Sequence, residues 1–443
     1  MARRRKRKPV PTETIEVTIE SLSHEGRGVA RHEGKTLFVD NALPGETVTM
    51  RYSAVHGKFD EGFAVAILEP SPSRQVPPCQ HYEICGGCSL QHMASSAQIA
   101  FKQDILKEHF AHFGKLEPEQ WLPPMQAATE GYRSKARLGV RYVTKKESCL
   151  VGFREKRSNF LAEIESCAVL VPRVSELIMP LRAMIGAMDA KQSTPQIELA
   201  ASDQELAFIV RHMEPLSDRD KATWIAFAEE HNIHLYLQPK GPDTVHKIAP
   251  EDDRERLFYQ LPDFAVTLGF HPLDFTQVNT SINRQMVSRA IELLDPQPHE
   301  RVLDLFCGLG NFTIPLATRS EHVIGVEGVQ TMVDRGYENA KLNNLSGVDF
   351  YQADLQKDFS DKDWAKEGFD KILIDPPRSG ALDVVQYLPK FGAQKVVYVS
   401  CNPATLARDA GVLKEHGYRL TLAGVMDMFP HTAHVESIAV FER

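Results

Sequence analysis

Two short segments near the C-terminal end contain residue types that could carry out covalent catalysis on a ring. They are Ser400-Cys401-Asn402-Pro403 and His434-Val435-Glu436, so that a cysteine precedes a glutamate by 35 residues. A thiolate can add to an electron-poor carbon, and a carboxylate can then remove a proton from the adduct. Together with a methyl donor, these two groups would suit methylation of an unreactive ring carbon.

Other residues compete for these two roles. By residue type alone Cys401 could be a small buried thiol, and Cys307 is a second candidate thiol. Cys307 lies inside a glycine turn, however, where the need to pack a small residue explains the presence of a cysteine. His431 or His434 could be the base in place of Glu436, which could itself be an ordinary carboxylate of an edge strand. We favour Cys401 because it lies opposite the predicted cofactor turn.

The elements that must position these residues alternate between strand and helix from about residue 264 onward. This alternation predicts a doubly wound sheet covered by helices on both faces, and ligands of such sheets bind at the carboxyl ends of the strands. The predicted strands cover residues 301–306, 323–326, 350–354, 371–374 and 396–399. The reactive or acidic residues near their ends are Asp304, Glu327, Asp354, Asp375 and Cys401.

A glycine turn, Cys307-Gly308-Leu309-Gly310-Asn311, follows the first of these strands. Such a turn lets the backbone approach a cofactor closely, and Glu327 follows Asp304 at about the spacing of an acid that accepts ribose hydroxyls. Thr313 stands where a dinucleotide site would have its third glycine, and no phosphate-binding lysine follows. The turn therefore favours a methyl donor without phosphates over NAD.

The segment Asp375-Pro376-Pro377-Arg378 directly follows the fourth strand. Its two prolines make a rigid turn that projects Asp375 from the strand tip. A plain structural turn is the alternative, but this turn opens on the predicted cofactor site. We therefore expect Asp375 to take part in the chemistry.

The N-terminal part of the chain has a different pattern. Short alternating runs separated by Gly and Pro turns fill residues 14–68 and predict a small β-barrel. Its size and charges resemble a TRAM domain, an OB-like RNA-binding module. A proline-rich linker begins at Pro70.

Three cysteines with close spacing, Cys79, Cys85 and Cys88, follow the linker beside Gly86-Gly87. With Cys167 as a distant fourth ligand they could close a four-coordinate metal site, although Cys149 is an alternative fourth. Four thiolates suit either zinc or a [4Fe–4S] cluster, and the spacing does not decide between them. A fully ligated cluster would leave no open iron for a cofactor.

The distribution of charge along the chain is more informative about binding partners than the net charge of −8. Residues 3–8 are all Lys or Arg, and residues 131–160 contain nine Lys or Arg against two Glu, interleaved with aromatic residues. Solvated surfaces are the alternative, but two such runs in an acidic chain favour an RNA or DNA partner. Seven cysteines and the absence of a secretory signal or of a long apolar run predict a cytoplasmic protein without a membrane span.

Taken together, these motifs resemble the RNA uracil-5-methyltransferase family, and the resemblance covers essentially the whole chain. It is carried by residues 304–313, 375–378, 400–403 and 431–436, with support from the barrel, the four cysteines and Phe275-Thr276-Gln277-Val278-Asn279. Within the family, the barrel and the cysteines point to members that modify 23S rRNA. The resemblance implies S-adenosylmethionine as methyl donor and a [4Fe–4S] cluster on Cys79, Cys85, Cys88 and Cys167.

The resemblance also implies roles for individual residues. It makes Cys401 the nucleophile that attacks C6 of uracil and Glu436 the base that removes the C5 proton, while Asp375 orients the uracil edge. The implied cofactor contacts are Gln277, Phe306, Asn311, Glu327, Asp354 and Asp375.

The expected architecture is multidomain α/β. A basic disordered arm (1–11) and a TRAM β-barrel (12–70) precede an α+β iron–sulfur and RNA-binding central domain (71–92 and 125–263). A Rossmann-like class I methyltransferase domain takes residues 93–124 and 264–443. We expect a monomer.

Three other functions compete with this interpretation. Asp-Pro-Pro-Arg turns also suit methylation of exocyclic amines, which needs no nucleophile. A cytosine-5 methyltransferase often carries its thiol within the proline motif, and this motif has none. An RNA-binding factor with a vestigial catalytic fold would have no need for Cys401, Glu436 and the acids at the strand ends.

Overall fold

The computed structural model describes residues 9–443, so the predicted basic arm lies outside the described residues except for its last three positions. Contacts between Cα atoms divide the chain into two units. Unit 1 comprises Met1–Lys102 and Phe429–His434, and unit 2 comprises Gln103–Met428 and Val435–Arg443. The finer division into four domains stays a prediction.

Unit 1 contains a six-stranded sheet with the order β1-β5-β6-β4-β3-β2. Side chains alternate between its two faces, and one face forms a core that includes Val17, Leu37, Val48 and Met50. The strands are β1 (Thr14–Thr18), β2 (Ser21–Leu22), β3 (Gly28–His32), β4 (Lys35–Asp40), β5 (Thr47–Val55) and β6 (Phe59–Glu69).

A helix and a short strand follow this sheet along the chain. Helix α1 (Ser95–His109) continues into a π-helical turn, Phe110–Gly114, and β7 is Gln120–Trp121. Lys115, which ends the π-helical turn, is in the left-handed conformation. Gly114 packs closely against the helix Pro403–Glu415, since a Cβ there would lie 2.9 Å from the carbonyl oxygen of Ala407.

A second six-stranded sheet, β13-β12-β11-β10-β8-β9, forms the α+β part of unit 2. Its strands are β8 (Lys135–Val143), β9 (Ser148–Gly152), β10 (Gln196–Ala201), β11 (Leu206–Arg211), β12 (Ile233–Gln238) and β13 (His246–Ala249). The helices in this part are α2 (Pro172–Ser175), α3 (Ile178–Gly186) and α4 (Asp218–Glu230).

The hairpin of β14 (Leu257–Leu261) and β15 (Val266–Phe270) leads into a third, eight-stranded sheet with the order β18-β17-β16-β19-β20-β22-β21-β7. Its strands after β7 are β16 (Arg301–Leu305), β17 (His322–Glu327), β18 (Val348–Gln352), β19 (Lys371–Ile374), β20 (Lys395–Ser400), β21 (Arg419–Met426) and β22 (Glu436–Glu442). The accompanying helices are α5 (Thr280–Leu294), α6 (Thr313–Leu316), α7 (Gln330–Leu342), α8 (Leu382–Tyr387) and α9 (Pro403–Glu415).

Strands β16 to β20 of this sheet pair in parallel, and β22 is inserted antiparallel between β20 and β21. The prediction of a doubly wound α/β sheet is therefore confirmed. Its parallel strands read as near-continuous apolar runs because helices cover both of their faces.

The longest α-helices in residues 9–443, α1 and α5, have 15 residues each. A bilayer span needs about 20 apolar residues. In this part of the chain no helix is long and apolar enough to cross a membrane.

Candidate active site

The predicted site residues lie at the carboxyl ends of adjacent strands in the eight-stranded sheet. In spatial order, Asp354 follows β18, Glu327 ends β17, Phe306 follows β16, Asp375 follows β19 and Cys401 follows β20. Parallel strands bring their carboxyl ends to one edge. The fold therefore assembles along this edge residues that are up to about one hundred positions apart in the chain.

Strand pairing places Glu436 next to Cys401. In the antiparallel register of β20 with β22, Ser400 is opposite Ser437, so the next position along puts Cys401 opposite Glu436. Directly opposed residues have Cβ atoms roughly 5 Å apart and point to the same face. Glu436 is buried, with 7% exposure. The predicted thiol and carboxylate thus face the same space.

The surroundings of Cys401 favour its neutral thiol. Burial, followed by the negative charges of Glu436 and Asp375, raises the pKa of Cys401 to about 11, and the guanidinium of Arg378 opposes this rise. Because a thiol needs to lose its proton before it can attack, the positive charge of Arg378 favours the reactive form. Sequence reasoning named the motif that contains Arg378 but gave the residue no role.

The glycine turn after β16 is fixed to the neighbouring strand. The N–H groups of Phe306 and Cys307 donate to the carbonyl of Val326, at 3.0 and 3.2 Å. The N–H of Gly308 donates to Oε2 of Glu327 at 3.1 Å. Phe306 has φ 63°, which is uncommon for a residue other than glycine and typical of functional positions.

Open space beside this turn could accept a cofactor. Gly308 is in the left-handed region, and a Cβ at this position would meet no atom within 4 Å. Glu327 lies at the adjacent strand end, where its Oε1 also accepts from the N–H groups of Gly328 and Val329, at 2.7 and 3.2 Å. A carboxylate has about four acceptor positions, so one remains beside the three backbone bonds. The residues present therefore fit a nucleoside-containing methyl donor.

Asn311, a predicted cofactor contact, is held by two other side chains. Its Oδ1 accepts from the hydroxyl of Tyr259 at 2.8 Å and from Nδ2 of Asn283 at 3.1 Å, and its own Nδ2 donates to Oδ1 of Asn283 at 2.9 Å. Gln277 lines a small pocket beside Tyr259 and Asn283. The hairpin of β14 and β15 thus supports the predicted cofactor residues, a role that no motif had indicated.

Two acids at the edge are in opposite environments. Burial raises the pKa of Asp375 to about 7, so that part of its population is protonated near neutral pH. Asp354 is half-exposed and pairs with Lys357 at 2.8 Å. The hydrogen bond from Lys357 lowers the pKa of Asp354, which keeps this carboxylate charged.

The alternative candidates for the nucleophile and the base have surroundings that differ from those of Cys401 and Glu436. Cys307 is buried, and burial followed by the charges of Asp304 and Glu327 raises its pKa well above the ordinary value. His431 and His434 belong to unit 1, where the backbone N–H of His431 donates to Oε1 of Gln98 at 2.8 Å. Glu436 shares a strand pair with Cys401 and is the better candidate base.

The cysteines predicted to bind metal are divided between the units, with Cys79, Cys85 and Cys88 in unit 1 and Cys167 in unit 2. The N–H of Gly87 donates to the sulfur of Cys85 at 3.4 Å. Within residues 9–443, no group of three or more His, Cys, Asp or Glu side chains is arranged to hold a metal ion.

The basic run of residues 131–160 forms the β8–β9 hairpin and the loop after it. Arg141, Lys145, Arg154 and Arg157 are exposed. Lys135, in contrast, is turned toward the carbonyl of Asp274, and burial lowers its pKa to about 8. The four exposed side chains make the surface of this hairpin and loop positively charged, as the prediction of a nucleic-acid partner requires.

Comparison with known proteins gives a consistent picture. The family described as tRNA (Uracil-5-)-methyltransferase matches residues 94–443, and the TRAM domain matches residues 11–62. The chain belongs to the uracil-5-methyltransferase family. The resemblance inferred from its motifs is confirmed, as is the TRAM domain.

Two relatives of this uracil-5-methyltransferase are named 23S rRNA (uracil(1939)-C(5))-methyltransferase RlmD. The protein from Alcanivorax borkumensis is 55% identical over 100% of this chain and 99% of its own length. The protein from Hahella chejuensis is 54% identical, and the match covers 99% of each chain.

The eight-stranded sheet also has a solved counterpart. The tRNA (uracil-54, C5)-methyltransferase of Pyrococcus abyssi in complex with S-adenosyl-L-homocysteine has a TM-score of 0.73 and 26% identity. The match covers 96% of this uracil-5-methyltransferase and 100% of that chain. The class I methyltransferase fold is therefore confirmed.

Proposed function

We propose that this chain transfers a methyl group from S-adenosylmethionine to C5 of a uridine in 23S rRNA, at the position that its relatives' names give as 1939. The observation that supports the proposal is the register of β20 with β22, which pairs Ser400 and Ser437, the direct neighbours of Cys401 and Glu436. Other methyl transfers, such as those to amines, do not need a thiol and a carboxylate on the same face.

The proposed methyl transfer has three steps. The sulfur of Cys401 forms a bond to C6 of uracil, which makes C5 electron-rich. Bound S-adenosylmethionine would supply the methyl group as an electrophile, and its methyl–sulfur bond would break as the bond to C5 forms. Glu436 takes the C5 proton, the C5–C6 double bond forms again, and the bond between sulfur and C6 breaks.

The raised pKa of Cys401 determines how much of the thiol is in its reactive, deprotonated form. With a value of about 11 the thiol is protonated in the free protein near neutral pH. The reactive form is the small thiolate fraction, because a thiol needs to lose its proton before it can attack. The charge of Arg378 opposes the rise and so favours this fraction.

The basic surfaces supply the contacts to RNA in this proposal. The exposed arginines and lysines of the β8–β9 hairpin bind phosphates, and the TRAM sheet contacts the RNA around the target. The target base has to leave its stack to reach Cys401.

The first test uses RNA that contains 5-fluorouridine, because fluorine at C5 cannot leave as a proton and the adduct persists. We expect the wild-type protein to form a covalent complex with this RNA and Cys401→Ala to form none. Glu436→Gln should accumulate an adduct even on unmodified RNA, since the last proton is no longer removed. Denaturing gel electrophoresis measures both.

Cys149→Ala is the matched control. Burial raises the pKa of Cys149 to about 11 as well, and the opposing charge is that of Arg182, but Cys149 lies on β9 outside the candidate active site. This variant should form as much adduct as the wild type. Methyl transfer that continues unchanged in Cys401→Ala would contradict the proposal.

We further propose that Cys79, Cys85, Cys88 and Cys167 bind a [4Fe–4S] cluster. The support is the close spacing of the first three cysteines, the N–H donated to the sulfur of Cys85, and the resemblance of the motifs. Hydrogen bonds to ligand sulfurs are a usual feature of such clusters. No catalytic step depends on the cluster.

Anaerobic purification tests the cluster directly. We expect brown protein that contains iron and sulfide in equal amounts, about four of each per chain for a [4Fe–4S] cluster. Cys88→Ser should lose both, whereas Cys149→Ser should keep them. Protein that contains zinc without sulfide would contradict the assignment.

A further inference from the structure

A carboxylate outside the active site connects the elements on both sides of Cys401. Asp409 lies on α9 and has no solvent exposure. The other residues on the buried face of this helix are apolar, among them Leu406, Ala410 and Leu413. A buried carboxylate on an apolar face needs strong partners, and one of them belongs to the loop that follows Asp375.

The partners of Asp409 come from three elements. Its Oδ2 accepts from the backbone N–H of Ala381 and from the hydroxyl of Tyr398, each at 2.7 Å. Its Oδ1 accepts from Nε of Arg408 at 2.8 Å, and Nη2 of Arg408 donates to the carbonyl of Ser379 at 2.9 Å. One carboxylate thus joins α9, β20 and the loop of residues 375–381.

The same loop is hydrogen-bonded to the residue that follows the nucleophile. Nδ2 of Asn402 donates to the carbonyl of Arg378 at 2.9 Å. The loop also approaches the carboxylate closely, because a Cβ on Gly380 would lie 2.6 Å from Oδ2 of Asp409. Gly380 has φ 78° as well, so a side chain there is excluded on two grounds.

We propose that Asp409 is a positioning residue, which holds the loop of residues 375–381 so that Arg378 stays beside Cys401. The inference rests on the proposed function of Cys401. Asp409 does not touch the reacting atoms. It acts through Arg378, the cation that favours the thiolate.

The test is the rate at which Cys401 reacts with iodoacetamide as a function of pH, followed by mass spectrometry of the peptide that contains it. In Asp409→Asn the amide NH2 faces either the N–H of Ala381 or the guanidinium of Arg408, so one of the two connections to the loop is lost in either orientation. We expect alkylation of Cys401 near neutral pH to become several-fold slower and its profile to move to higher pH. The kcat for methyl transfer should fall about 100-fold, the effect of displacing a reacting group by ~1 Å.

Tyr398→Phe is the matched control. It removes one hydrogen bond from the same carboxylate but keeps both bonds to the loop, so its alkylation profile should equal that of the wild type. Arg408→Gln, at a partly exposed position, releases the carbonyl of Ser379 and should shift the profile in the same direction as Asp409→Asn. This second variant gives a result even if Asp409→Asn does not fold.

Unchanged alkylation profiles in both Asp409→Asn and Arg408→Gln would overturn the inference. The measurement needs no RNA, so it separates the two proposals. Failure of the wild-type protein to form an adduct with 5-fluorouridine RNA would contradict the proposed function, whereas unchanged alkylation profiles contradict only the role of Asp409.

Discussion

Asp304 shows how a single buried group can respond to pH in this fold. Oδ2 of its carboxyl accepts from Thr313 at 2.5 Å, and Oδ1 has no hydrogen-bond partner. Burial, assisted by the charges of Asp375 and Glu327 and opposed by the bond from Thr313, raises the pKa of Asp304 to about 8. The group is therefore largely neutral near pH 7, and it connects β16 to Thr313 at the start of α6.

This raised pKa predicts a pH-dependent stability. The folded protein binds a proton at Asp304 that the unfolded chain has released, so the stabilisation is complete below about pH 4, the ordinary Asp value. It is lost as the pH rises toward about 8. We expect the wild-type free energy of unfolding, relative to that of Asp304→Asn, to fall in this window by at most about 1.4 kcal/mol per pH unit.

Urea unfolding of both proteins between pH 4 and pH 9 measures this difference. Asp363→Asn is the control, because the hydrogen bond from Lys366 lowers the pKa of this exposed carboxyl and it does not titrate in the window. A difference between wild type and Asp304→Asn that stays constant with pH would contradict the prediction.

The types of the central residues could be predicted from sequence, but their partners could not. Asp375 and Cys401 were selected because each follows a predicted apolar strand, and Glu436 because of the family resemblance. The effect of Arg378 on the thiol and the contacts of Asp409 depend on how a loop packs against a helix, which no local pattern encodes. The one signal for Asp409 was an acidic residue on an otherwise apolar helix face.

At the scale of elements, an ion pair connects the TRAM sheet to the segment after it. Glu46 is fully buried and accepts from the N–H groups of Leu43 and Ser71, at 2.8 and 3.1 Å, and from Nη2 of Arg74 at 2.7 Å. Burial alone would raise the pKa of Glu46, but the bonds from Arg74 and the backbone outweigh it and lower the pKa. The stabilisation is therefore present above the ordinary Glu value and is lost as the pH falls.

Arg74→Ala should destabilise this sheet by about 3 kcal/mol, the cost of leaving a buried charge without its partner. The control is Arg31→Ala, which breaks an exposed pair with Glu20 at 3.9 Å in the same sheet and should cost less than about 0.5 kcal/mol. Hydrogen exchange of the β1–β6 amides measures both, since it reports on this sheet separately from unit 2. Equal losses in the two variants would contradict the prediction.

Elements with a clear apolar period were predicted well, and those whose shape depends on close packing were not. The strand at residues 371–374 has the expected bounds, whereas β3 begins at a glycine, Gly28. Gly28 is there because a Cβ would lie 3.0 Å from the carbonyl of Ala42. Such an approach between distant segments leaves no periodic signal in the sequence.

At the scale of the whole molecule, strand–helix alternation was enough to predict the doubly wound sheet. The alternation did not give the position of β22, because an antiparallel strand between β20 and β21 depends on long-range pairing. The expectations of a monomer and of a cytoplasmic location stay predictions. The same holds for the extent of the central domain.

The position of β22 also determines how this chain tolerates insertions and deletions. The 34 residues between Cys401 and Glu436 include α9, β21 and the segments that connect them. The pairing of β20 with β22, rather than this length, brings the two residues together. A longer or shorter turn near Gly417 would leave the pair intact, whereas removal of one residue from within β22 would turn the acid to the opposite face. Searches for distant relatives should therefore align the two motifs by their strand ends and allow the interval between them to vary.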